Sequence, residues 1–155
     1  MSLPPTWYLF GSDHLPHRLL LLARMIDRET SKQLQDQVGL SAAEWRVLAL
    51  ICTAGPASAA DVGAAFEADR AEVSRAVTRL TEAGLVARAQ DSANRKKMIL
   101  SPTDAGKDLY LKARGLRQTY FQTIMQDLSA TERLDFDGAL NRLAQRVDEL
   151  RQDRN

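Results

Sequence analysis

Four times in this chain a short polar residue is followed, three positions on, by an acid, just ahead of a stretch with helical apolar spacing. The four are Ser41-Ala-Ala-Glu44, Ser58-Ala-Ala-Asp61, Asp69-Arg-Ala-Glu72 and Ser129-Ala-Thr-Glu132. In such a capping box the first side chain accepts the amide proton three residues on, and the acid reaches back to the first residue's own amide. Each tetrad therefore predicts where a helix starts. Ser58-Ala-Ala-Asp61 is the looser of the set, because its acid is the shorter aspartate.

The spacing predicts a first helix over about 12–37, with Leu15, Leu19, Leu22 and Ile26 in one apolar stripe. The second runs from Ala42 to Thr53, with Trp45, Leu48 and Cys52 on a shared face and Gly55-Pro56 behind it. The third, Ala59 to Phe66, stacks Val62 on Phe66. The fourth, Arg70 to Ala83, turns Val73, Val77 and Leu80 inward, and Gly84 is placed to cap it. After Gly84 the period changes. Residues 85–90 and 96–101 read as short strands around the turn-like Asp91-Ser-Ala-Asn94, and Pro102 ends the second. Two long helices follow, one starting near Thr103 (Leu109, Ala113, Leu116, Tyr120, Ile124) and one at Ser129 (Phe136, Leu140, Leu143, Val147, Leu150). The expected class is mainly α with a small β-hairpin. The amphipathic helices at both ends need something to bury against, and a layer shared with a second copy of the chain meets that need.

Composition narrows the class without naming a partner. At 155 residues and 45% hydrophobic the chain is long enough for one cored domain. Its 21 basic and 20 acidic side chains leave a net charge of +1, so a nucleic-acid signal must come from local clustering. One cysteine, Cys52, excludes an intramolecular disulfide and suits a reducing compartment. No apolar run approaches the roughly 20 residues of a membrane span, and the first residues lack the order of a signal peptide. The expectation is a soluble, cytoplasmic protein with no membrane partner.

A short helix, a turn at Glu67-Ala-Asp69 and a second helix with its own N-cap form the helix-turn-helix plan. With Val73, Val77 and Leu80 inward, the opposite face carries Arg70, Ala71, Ser74, Arg75 and Thr78, with Arg79 beside it. Small polar side chains allow close approach to base edges, and arginines pair with guanine or phosphate. The plainer reading is a solvated face in a helical bundle. Charge argues for DNA. Between residues 70 and 97 stand Arg70, Arg75, Arg79, Arg88, Arg95, Lys96 and Lys97 against Glu72, Glu82 and Asp91, about +4 in a chain of +1. Arg95-Lys96-Lys97 lies beside the hairpin turn, where it can reach a groove flanking the helix. The sequence thus points to double-stranded DNA as partner. Nothing in it supplies a phosphate loop, HExxH, CxxC or a nucleophile with a base, so neither an enzyme nor a cofactor is expected.

Over about residues 12–150 the chain resembles the MarR family of winged helix-turn-helix transcriptional regulators. The resemblance rests on Ser41-Ala-Ala-Glu-Trp-Arg-Val-Leu-Ala-Leu50 and on Asp69-Arg-Ala-Glu-Val-Ser-Arg-Ala-Val-Thr-Arg-Leu-Thr-Glu-Ala-Gly-Leu-Val86. Asp91-Ser-Ala-Asn-Arg-Lys96, followed by Leu100-Ser-Pro-Thr-Asp-Ala-Gly106, completes it. It implies one domain over 1–155: a winged helix-turn-helix over 41–101, and a homodimer layer built from 12–37 and 103–150. It further implies a palindromic operator and repression that small ligands often relieve. Ser74 and Arg75 fall on the family's base-reading pair, and Arg95 on its wing-tip arginine. Asn94 stands where the family commonly has an acid that braces that arginine, which predicts a looser wing, and Lys96 replaces a frequent arginine.

Three weaker features complete the reading. His14 and His17, three apart, can share a helix face as metal ligands, but polar residues at a helix start is the simpler account, and no metal is expected. Cys52 can be a redox sensor or, more simply, a core thiol. Trp7, His14, Trp45 and Arg46, near Tyr8 and Phe10, are candidates for an effector pocket suited to a small aromatic carboxylate, and packing of the dimer is their plainer role. The alternative to a DNA-binding regulator is a dimeric helical interaction module without nucleic acid. A metal- or oxidation-sensing variant of the regulator is the third.

Overall fold

The structure, a computed structural model, describes residues 3–9, 11 and 14–154. Ser12, in the expected start of the first helix, and Phe10 of the aromatic group lie outside the described residues. A short 3-10 helix (Pro5–Tyr8) precedes six α-helices and a hairpin. They are α1 (Leu15–Val38), α2 (Ala42–Thr53), α3 (Ala59–Phe66), α4 (Arg70–Glu82), β1 (Val86–Gln90), β2 (Met98–Pro102), α5 (Asp104–Ile124) and α6 (Ala130–Gln152). The chain divides into two compact units, Met1–Arg117 and Gln118–Asn155, with the boundary inside α5.

Local chemistry sets the boundaries. Ser41, Ser58 and Ser129 each form the complete reciprocal box with Glu44, Asp61 and Glu132. Asp69 forms only half of one: its carboxylate accepts the Glu72 amide at 2.9 Å, with no return bond from Glu72. Helix α1 starts at Leu15, just before Pro16, a residue that suits a first turn because it has no amide proton to leave unpaired. The cap of α4 is Ala83, and Gly84 is the next residue, left-handed at φ 70°. There the Leu85 amide reaches back to the Leu80 carbonyl at 2.9 Å.

In Met1–Arg117 the core is Leu34, Leu40, Val47, Leu48, Ile51, Val62, Val73, Val77, Leu80, Val86, Leu100, Tyr110 and small alanines between them. The expected inward face of α4 is the observed one, with Ala76 added. Two expected faces are corrected. Helix α2 buries Val47, Leu48 and Ile51, which leaves Trp45 and Cys52 half-buried at its margin. Phe66, the last residue of α3, is exposed while Val62 is fully buried. In α1, Leu19, Leu22 and Ile26 are half-buried and Leu15 is exposed. In Gln118–Asn155, α6 has no buried residue, and Phe136, Leu143, Val147 and Leu150 are all exposed.

The strands pair antiparallel, Val86 opposite Pro102 through Gln90 opposite Met98. Lys96 and Lys97, expected in the second strand, belong to the turn, and Pro102 is the strand's last residue. The α2–α3 connection joins the sheet at one point, where Ala57 and Leu100 exchange both backbone bonds (3.2 and 2.8 Å). The start of α5 packs closely on the end of β1's approach. Thr103 donates its amide to the Leu85 carbonyl at 3.1 Å and its hydroxyl to the Gly84 carbonyl at 2.7 Å. Gly106 sits so near that a Cβ would overlap the Leu85 carbonyl oxygen.

Candidate nucleic-acid interface

Helix α4 turns about 100° per residue, so burying Val73, Ala76, Val77 and Leu80 fixes what faces away. Arg70, Ala71, Ser74, Arg75 and Thr78 are all exposed. The Thr78 hydroxyl is turned back onto the Ser74 carbonyl at 3.1 Å, which leaves its methyl group outward. Glu67 caps the end of α3, ahead of α4. It is the one non-glycine residue with positive φ (49°) among those described, a conformation that costs of order 1–3 kcal/mol and persists where its surroundings enforce it. The Ala68 amide closes that turn on the Gly63 carbonyl at 3.0 Å. Beside Arg70 and Ser74 opens a concavity of about 550 Å³, floored by Ala59, Ala60, Gly63, Ala64 and Ala68. Side chains this small let a bulky chain approach the face.

The hairpin ends in a β-turn with Arg95 and Lys96 at its two corners. The Lys97 amide closes it on the Asn94 carbonyl at 2.8 Å, and the Asn94 side-chain oxygen accepts the Lys96 amide at 3.1 Å. Asp91 accepts the Ala93 amide at 2.9 Å in the same manner. Asn94, in the place of the expected acid, is therefore engaged in shaping the turn's backbone.

The basic residues divide into two sets. Among the described residues no acid pairs with Arg70, Arg75, Arg95 or Lys96. Arg79 and Lys97 are engaged internally. Arg79 Nε donates to Glu44 Oε1 at 2.6 Å, and Glu44 is buried and also caps α2 by accepting the Ser41 amide at 2.8 Å. Lys97 Nζ lies 3.4 Å from Asp61 Oδ2. Hydrogen bonds from the Ser58 amide and hydroxyl hold the Asp61 carboxyl below its ordinary value, with Lys97 adding to the effect. Spacing revealed Glu44 and Asp61 as caps. It had no means to show their second partners, which lie far along the chain.

Of the expected effector residues, Trp45 and Arg46 share a setting. Tyr110 stacks on Trp45 (centroids 5.5 Å apart), Arg117 lies over its ring at 5.2 Å, and Arg46 stands 3.9 Å from Asp27. Burial pushes the Arg117 guanidinium below its ordinary value; Arg46 adds to this and Asp27 opposes it. The carbonyls of Trp7 and His14 instead accept bonds from Arg18, at 3.2 Å each. Tyr110 and Arg117 carry no motif that singles them out. Burial raises the Cys52 thiol, against a smaller lowering by Lys107. Among the described residues no cluster of three or more His, Cys, Asp or Glu is placed to hold a metal. No helix among them is long and apolar enough to cross a membrane.

A helix-turn-helix followed by a basic hairpin is the lobe of a winged-helix transcriptional regulator. The chain matches the MarR family over residues 38–97. It is 31% identical over 94 residues to the uncharacterized HTH-type transcriptional regulator YwoH of Bacillus subtilis (strain 168), covering 61% of this chain and 68% of that protein. A MarR family regulator from Listeria monocytogenes, solved with a 26mer DNA, shares the fold with a TM-score of 0.78 at 20% identity, over 89% of this chain and 91% of that one. Bordetella bronchiseptica BpsR, whose DNA binding is regulated by 6-hydroxynicotinic acid, matches with a TM-score of 0.67 at 25% identity, over 82% and 98%. The chain belongs to the MarR family of transcriptional regulators.

Proposed function

We propose that this regulator binds double-stranded DNA as a homodimer, presses α4 into the major groove and sets the wing tip in the flanking minor groove. One observation carries the reading: Arg70, Arg75, Arg95 and Lys96 stand exposed with no acid partner among the described residues, amid Ala71, Ser74 and Thr78, small enough to admit a base edge. Ser74 and Arg75 read bases, and Arg70 and the wing cations meet phosphates. Arg79 and Lys97, each held by an acid of its own chain, support this face from behind. A symmetric dimer places two such helices on a palindrome with half-sites about 10 base pairs apart. In that arrangement α1, α5 and α6 form the dimer layer.

Repression relieved by a small ligand is the regulatory half of the proposal. Two arginines close together, Arg117 over the Trp45 ring and Arg46 on the neighbouring residue, beside Trp45 and Tyr110, suit a small aromatic carboxylate whose charge they would pair. Trp7 and His14 are the outer candidates for that site. The ligand releases DNA if it binds better to a dimer shape that DNA disfavours.

The test uses a duplex recovered from genomic fragments by selection with the full chain, followed by fluorescence anisotropy. Arg75→Ala should weaken binding by about 1–3 kcal/mol and relax specificity, while Arg95→Ala weakens all duplexes evenly and lowers the salt slope by about 1. Equal affinity of wild type and both variants overturns the assignment. No binding even at low salt returns the chain to a helical interaction module.

A further inference from the structure

The return arm of the wing, β2 and the Lys97 that precedes it, is fastened to the segment 57–61 at two places. One is the backbone exchange between Ala57 and Leu100. The other is the Lys97–Asp61 pair, three residues nearer the wing tip. Asp61 is rigidly held for this task. Its Oδ2 accepts both the Ser58 amide (2.8 Å) and the Ser58 hydroxyl (2.7 Å), so the carboxylate that caps α3 also faces the wing. Beyond Lys97 lies the wing tip, residues 92–96, with the β-turn corners Arg95 and Lys96.

Both partners are partly exposed, the Lys97 side chain 41% and the Asp61 side chain 48%. Pairs of that kind add little to the stability of a fold. Their effect is on direction. A wing already pointed at its groove loses less freedom when Arg95 and Lys96 bind, and ordering costs of that kind are a large part of any association. We infer that Asp61 is a positioning residue for DNA binding: an acid on α3 that, through Lys97, aims the wing tip at the DNA. The inference rests on the DNA-binding reading above.

The sign of one substitution tests it. A carboxylate beside a phosphate-binding face repels DNA, so simple electrostatics has Asp61→Asn tighten binding. A tether has it loosen. With the full chain and the selected duplex, Asp61→Asn and Lys97→Met should each weaken binding about three- to tenfold, the double variant no more than either single one, and Asp61→Glu should restore it. Asn at position 61 can still accept the Ser58 amide, and Lys97→Met leaves the α3 cap untouched, so one variant checks the other. The salt slope should stay unchanged in Lys97→Met, whereas it falls by about 1 in Arg95→Ala. Tighter or equal binding by Asp61→Asn overturns the inference. Additive losses, or a slope reduced by Lys97→Met, make Lys97 a phosphate contact and overturn it too. If the wild type binds no duplex, the DNA-binding reading fails separately, and the tether is read from heteronuclear NOE values of the Arg95 and Lys96 amides. A drop in Asp61→Asn supports it, and unchanged values overturn it.

Discussion

Met1–Arg117 and Gln118–Asn155 are built from the same kind of sequence and end in opposite states. Both contain complete capping boxes and clean apolar stripes. Among the described residues, every buried hydrophobic side chain lies in the first unit and none in the second. A cap and a stripe therefore specify a helix without burying its apolar face. Isolated helices are marginal in water, and most of their stability comes from burying the apolar face. Helix α6 is 23 residues long, and Phe136, Leu143, Val147 and Leu150 remain to be covered. In the proposed dimer a second copy covers them. The first unit has its core within the chain, so the packing around α2, α3 and α4 should depend on protein concentration far less than α6 does.

The sharpest break of this comparison is Leu143→Asp. If the proposed dimer buries Leu143, losing it is worth ~1.5–3 kcal/mol per copy and a symmetric dimer loses it twice, so the dissociation constant should rise about 100-fold or more. Sedimentation equilibrium measures it, and an unchanged association state would show that the α6 face stays in water. Gly106→Ala acts on the first unit alone. A methyl group overlapping the Leu85 carbonyl must displace backbone, at about 1–3 kcal/mol, seen as a lower urea midpoint that depends little on protein concentration. The smallest effect concerns Cys52. Its pKa is raised by burial, so less thiolate is present at pH 7 and alkylation by iodoacetamide should be slower than for an unstructured cysteine peptide, rising only as pH passes the ordinary thiol value of about 8.5. Fast modification at pH 7 would reopen an oxidation-sensing role.

What could be read in advance follows from which interactions are local. Helices α2 and α3 occupy the expected residues because both ends of each are marked by short-range chemistry. The face of α4 was legible because its apolar residues have no competing stripe. The face of α2 was not. Trp45 is its largest apolar residue, but neighbours in the fold, not size, decide burial, and they bury Val47 and Ile51. Phe66 was misplaced for a related reason: a helix period gives a stripe but not where the neighbouring element stops. In the site, the exposed group around Ser74 and Arg75 needed only periodicity. The internal engagement of Arg79 and Lys97 depends on acids in other elements, and no spacing rule reaches them.

The Ala57–Leu100 bridge has a consequence for how the lobe assembles. Helices form from neighbours in sequence, whereas this bridge closes a loop containing all of α3 and α4 and the hairpin as far as Ile99. Loop-closure entropy opposes such a contact until the intervening helices are in place, and contacts of long sequence separation slow folding. Within the first unit, the junction of wing and helix-turn-helix should therefore form after the helices it joins. The Leu100 amide, which bonds to Ala57 at 2.8 Å, is the place where native-state hydrogen exchange would register opening of that junction.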